Sequence, residues 1–136
     1  MKTLVNLSLS IVLILTVFSC SKNKYRALGD WDDNIHLSTK VAEFSASGDS
    51  ITITTKGSSW WITGMSMDST NYTFRGFDLQ ADSFLIKENH FEVKRHNKNT
   101  LSIKVDANPQ KTKRIISIEF EAGDYFDYVT ITQKSN

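Results

Sequence analysis

Residues 115–132 read "IISIEFEAGDYFDYVTIT". Ile116, Ile118 and Phe120 fall at every second position, Gly123 and Asp124 follow, and Val129 and Ile131 then alternate with Tyr128, Thr130 and Thr132. A period of two sends successive side chains to opposite faces of a strand. Two such runs joined by a short glycine turn make a β-hairpin.

The same period recurs upstream. "LSIKV" places Leu101, Ile103 and Val105 on one side, and Asn97–Asn99 before it supplies a turn. "VAEFSA" leads through "SGDS" into "ITITT", where Ile51 and Ile53 oppose Thr52 and Thr54. No segment of helical length carries an i, i+3, i+4, i+7 apolar stripe with a cap, while β-branched and aromatic residues abound. The pattern predicts an all-β chain folded as an antiparallel β-sandwich. Between Met65 and Asn99, "YTFRGF", "SFLI" and "HFEVKR" look like strand fragments with Phe91 and Val93 on one face. Their pairings do not follow from the pattern.

Within "SSWWITG", residues 58–64, the two tryptophans must point to opposite faces if they lie in a strand. Trp60 shares its side with Ile62 and is assigned to the core; Trp61 shares its side with Ser59 and Thr63 and is assigned to the outer face. Two readings of Trp61 stand. It forms a platform for a sugar ring or another protein, with Tyr72 and Phe74 as further stacking candidates, or the 65–99 excursion folds back over it.

The N-terminus has a different character. Lys2 precedes "TLVNLSLSIVLILTVF", which contains no charged residue, and "VFSC" ends at Cys20, the single cysteine. A positive start, a short apolar run and a small residue before the end read as a secretory signal over residues 1–19. "VFSC" resembles a bacterial lipobox, which implies cleavage before Cys20 and lipidation of its sulfur. That would explain the unpaired thiol and leave the domain without disulfides. The polar stretch "SKNKYRALGDWDD" then suits a tether, giving residues 20–38 as lipidated cysteine plus tether and 39–136 as the domain. The aspartates around Trp31 lack the spacing of a calcium loop.

Charge excludes one class of partner. Sixteen lysines and arginines face fifteen aspartates and glutamates, interspersed and without a basic stripe, so nucleic acid is not expected. Chemistry is not expected either. His36, His90 and His96 match no metal-ligand spacing, although His90 and His96 would meet across a hairpin. No serine sits in G-x-S-x-G. Glu88, Glu92, Glu119 and Glu121 alternate with apolar residues as outward strand positions, not as a paired acid and base in a cleft. No cofactor and no metal are anticipated.

"FSASGDSITITTKGSSWWIT", "IKVDANPQKTKRIISIEF" and "DYFDYVTITQK" together resemble the BACON domain of the Bacteroidetes. The matching positions are Gly48, Trp60, Asn108, Arg114 and the run Ile131, Thr132, Gln133, covering both ends of residues 39–134. The resemblance implies an immunoglobulin-like sandwich, a link to carbohydrate or mucin binding, and no catalytic residues. Asn108 before Pro109 suits a turn, and Arg114 is expected to pair with a carboxylate on a neighbouring strand. The resulting expectation is a lipid-anchored, non-catalytic interaction domain of the cell envelope, at the outer membrane by the family's habit. The alternative is a glycan-binding module.

Overall fold

The computed structural model describes residues 31–136. The signal segment, Cys20 and most of the tether lie outside them. Nine strands follow in order: β1 Val41–Phe44, β2 Asp49–Thr54, β3 Trp61–Met67, β4 Thr70–Tyr72, β5 Phe84–Lys87, β6 Phe91–Asn97, β7 Thr100–Val105, β8 Arg114–Ala122 and β9 Tyr125–Gln133. They form a five-stranded sheet, β1-β9-β8-β3-β4, packed on a four-stranded sheet, β2-β7-β6-β5. The chain is an all-β sandwich of the immunoglobulin-like kind.

The 115–132 hairpin is its spine. Ala122 pairs with Tyr125 across Gly123 and Asp124, and the register holds to Arg114 opposite Gln133. Gly123 has φ +65°, the left-handed conformation that a tight hairpin turn demands. Ile116, Ile118, Phe120, Val129 and Ile131 all turn inward to meet Ile53, Val93, Leu101, Ile103 and Val105 of the other sheet. Each such side chain contributes about 1.5–3 kcal/mol by leaving water.

One pair departs from the expected antiparallel arrangement. β1 runs parallel to β9, with Val41 opposite Thr130 and Phe44 opposite Gln133. "SGDS" is therefore no hairpin turn: it carries the chain from one sheet to the other. Gly48, at φ +94°, permits the crossing, because a Cβ there would stand 2.8 Å from the Val105 carbonyl oxygen.

The folded body also begins earlier than residue 39. Ile35 is fully buried in the core, Leu37 bridges Thr55, and the backbone N–H groups of Lys56 and Gly57 both donate to the Ile35 carbonyl. One isolated isoleucine shows no period, so burial of Ile35 was not visible as part of a strand.

Of the positions on which the resemblance rests, Gly48, Asn108, Arg114 and Gln133 gather at one pole of the sandwich, whereas Trp60 lies toward the other, beside Thr55 and Gly57. The Gln133 amide donates to the carbonyls of Ser45 (3.2 Å) and Asp106 (2.8 Å). Asn108 Nδ2 donates to Thr112 and Lys134, and Asn108 Oδ1 accepts from the Gln110 N–H at 3.1 Å, which makes the expected turn. Arg114 departs from expectation: its guanidinium donates to the Ala107 carbonyl at 3.4 Å, and among the described residues it forms no ion pair. Its strand end faces a loop of carbonyls, not a strand bearing carboxylates.

Candidate functional site on the outer face of the five-stranded sheet

The two tryptophans separate as alternation requires. Trp60 is 2% exposed, its indole N–H donates to Thr55 Oγ1 at 2.9 Å and Gly57 O at 3.1 Å, and its ring meets Phe120 edge-on at 5.3 Å. The Arg95 guanidinium lies 3.7 Å from the Trp60 ring centroid. Among the described residues this buried cation forms no ion pair; it donates to the carbonyls of Trp60, Ala81, Ser58 and Lys98. Burial holds it below its ordinary pKa, and nearby Asp82 works in the opposite direction. Arg95 thereby pins residue 81 of the excursion to the sandwich.

Trp61 is half-buried and faces outward, opposite Glu121. Gln80, Asp82 and Lys98 line a small hollow beside it, so the excursion reaches its edge without sealing it. The other two stacking candidates are not brought to it. Tyr72 sits opposite Met65, facing inward, and its ring packs edge-on against Phe91 at 4.9 Å. Phe74 packs half-buried against the core.

What decides the geometry next to Trp61 is a β-bulge between Ile62 and Gly64. Strict alternation would put Thr63 and Met65 on the side of Trp61. The extra residue at Thr63 resets the phase, so that Ile62 and Met65 are both buried while Trp61, Gly64 and Ser66 face out. The registers then lay the outer face out in rows. Phe126, Glu121 and Trp61 form the first, Tyr128, Glu119 and Gly64 the second, and Val41, Thr130, Ser117, Ser66 and Asn71 the third.

Gly64 leaves a dip in the middle row. A depression of about 460 Å³ opens there, lined by Thr63, Ser66, Asn71, Ser117, Glu119 and Tyr128, with Tyr72 at its border. Glu119 Oε2 lies 2.9 Å from where a Cβ on Gly64 would stand, so the carboxylate leans over the glycine. Its other oxygen accepts from the Tyr128 hydroxyl at 3.2 Å. Burial, and then the hydrogen bond and charge of Glu119, raise the Tyr128 pKa, so its phenol stays protonated and remains a donor. The site thus offers hydroxyls, an amide and one carboxylate beside the Tyr128 ring.

Sequence reading placed Trp61 here and took Glu119 and Tyr128 only as outward strand positions. Their pairing was nevertheless available, since both stand three residues beyond the pair that closes the Gly123–Asp124 turn. Gly64 gave no signal, because a bulge has no fixed sequence mark.

The histidines stay apart. His90 and His96 lie at opposite ends of β6, not across a hairpin, and His96 Nε2 contacts Ser102 Oγ at 2.7 Å. His36 stands 3.9 Å from Asp33. Among the described residues no three His, Cys, Asp or Glu side chains converge as a metal site.

No protein-family model matches the chain, and no curated protein does. Among solved structures, an NMR structure of a protein from Bacteroides thetaiotaomicron is similar at a TM-score of 0.64 and 18% identity, covering 86% of this chain and 98% of that one. The titin M3 domain matches at a TM-score of 0.40 and 7% identity, covering 75% of this chain and 92% of that one. The first likeness agrees with the sandwich fold.

Proposed function

We propose that this chain is a non-catalytic, BACON-like interaction domain of the bacterial cell envelope, lipid-anchored at Cys20, and that it meets its partner through the outer face of the five-stranded sheet. The observation that supports this is the company kept on that face. Tyr128, 48% exposed, lines the polar depression; Trp61 and Phe126 stand half-buried in the row on one side of it, and Val41, 70% exposed, stands in the row on the other. Aromatic rings left in water on a flat face characterise surfaces that bind. Glu119 and Glu121 stand along one strand of an open face, not across a cleft that would hold a scissile bond between them.

A glycan is the partner this mixture favours. Hydroxyls, a carboxylate and an amide beside aromatic faces match a pyranose, which has hydroxyl rims and apolar C–H faces. The test is a glycan array probed with the wild-type chain and with Trp61→Ala. Binding that disappears in the variant at unchanged melting temperature supports the glycan reading. Absence of binding by the wild type removes the glycan and leaves a protein partner, read by crosslinking from the same face. Unfolding of Trp61→Ala would contradict the assignment of that ring to the surface.

A further inference from the structure

The charge around the depression is one-sided. Glu43, Glu119 and Glu121 project from the outer face of the five-stranded sheet, and no lysine or arginine occupies a strand position on that face. The opposite face of the sandwich carries Lys87, Lys94 and Lys104 against Glu92. A chain balanced in overall charge has therefore sorted its signs onto two surfaces.

Glu119 stands at the centre of the negative side and makes no ion pair among the described residues. One of its oxygens is held by Tyr128, while the other leans over Gly64 into the depression. A carboxylate fixed in this way, beside a phenol ring and with Trp61 and Glu121 in the adjoining row, lacks a positive donor. Ammonium groups are recognised by this combination of ionised oxygen and aromatic face. A neutral hydroxyl would satisfy the oxygen but leave the Glu119 carboxylate, with Glu121 in the adjoining row, facing no lysine or arginine on the strands of that face.

We propose that the Gly64–Glu119–Tyr128 depression binds a ligand bearing a protonated primary amine, seated on the free Glu119 oxygen, with Ser66, Ser117 and Asn71 receiving hydroxyl groups of the same ligand. This deepens the glycan reading above and rests on it: the sugar is an amino sugar whose nitrogen is not acylated. The same ammonium could also come from a lysyl side chain, and the probes below separate the two sources.

The test follows backbone amide signals of Gly64, Ser66 and Ser117 in the full-length chain in detergent micelles, at about pH 6, where a primary amine is protonated. The probes are D-glucosamine, N-acetyl-D-glucosamine, D-glucose and n-butylamine. Glucosamine is expected to bind at least about tenfold tighter than its acetylated and neutral counterparts, the factor set by one charge-assisted hydrogen bond. Glu119→Gln should erase that difference without lowering the melting temperature, and Gly64→Ala, which fills the floor, should weaken every probe. Butylamine binding as tightly as glucosamine would assign the ammonium to a lysyl-type source; weaker binding assigns it to the sugar. Equal binding of neutral and aminated sugars, or indifference to Glu119→Gln, overturns the amine while the glycan reading survives. Silence from all four probes overturns the inference, and the array with Trp61→Ala then judges the proposed function separately.

Discussion

Trp60 and Trp61 share a residue type and adjoin in the chain, yet their replacement should cost very different amounts. Trp60→Ala removes a ring packed on Phe120, a cation–π contact and two indole hydrogen bonds, and leaves a cavity. Denaturant unfolding should show a loss of about 3–5 kcal/mol. Trp61→Ala, on the outer face, should lose less than about 1 kcal/mol. Iodide should quench Trp31 and Trp61 and spare Trp60, which is 2% exposed. Arg95→Met keeps much of the stem but strips donors from four carbonyls, and we expect a loss of at least about 3 kcal/mol, read from the same unfolding curves. Alternation alone sorted the two indoles, because Ile62 marks the buried side. The same period sets Arg95 on the side of Phe91 and Val93, but its charge argued against burial; here that charge is met by carbonyls, most of them distant in sequence.

Among the elements, legibility depends on how far each strand keeps its period. β7, β8 and β9 alternate without interruption, and their inward sets could be read directly from the residues. β3 defeats that reading at Thr63, where one extra residue moves Gly64 outward and Met65 inward. The site on this strand was half-visible for the same reason: Trp61 precedes the bulge and Gly64 follows it. Tyr72 was misplaced because β4 has three residues, too few to express a period, and Phe74 because it lies beyond the strand's end. Glycine substitutions test the connections between these elements. Gly48→Ala should cost about 2–3 kcal/mol in urea unfolding, combining φ +94° with a backbone oxygen 2.8 Å from the new Cβ. Gly123→Ala, at φ +65° with open space around it, should cost only about 1 kcal/mol.

At the scale of the whole molecule, a charged clasp ties the first described segment to the last strand. Lys40 Nζ lies 2.9 Å from Asp127 Oδ2 and 3.6 Å from Asp33 Oδ2. Its hydrogen bond to Asp127 raises the Lys40 pKa against the opposing effect of burial. For Asp33, burial pushes upward, but the N–H groups of His36 and Ile35 with the charges of Lys40 and His36 together bring it below the usual value. A depressed aspartate stabilises the fold above its unfolded pKa and loses that contribution as pH falls through its folded value. The melting temperature should therefore drop below about pH 4, with a shallower fall in Asp33→Asn. A raised lysine contributes up to the ordinary lysine range and is lost only on the far alkaline side, beyond about pH 10.4. Between these limits the clasp predicts a plateau.

The parallel partnership of β1 with β9 matters once the protein is pulled. Tension arriving from the N-terminal side enters β1 at Val41, and tension leaving through the C-terminus exits β9 beyond Gln133, at opposite ends of one ladder. Every rung between these strands is then sheared at the same moment, whereas handles at Ser47 and the C-terminus would unzip the rungs one after another. Optical-trap unfolding should need more force in the first geometry than in the second. A domain held by a membrane on one side and loaded on the other would resist as a clamp.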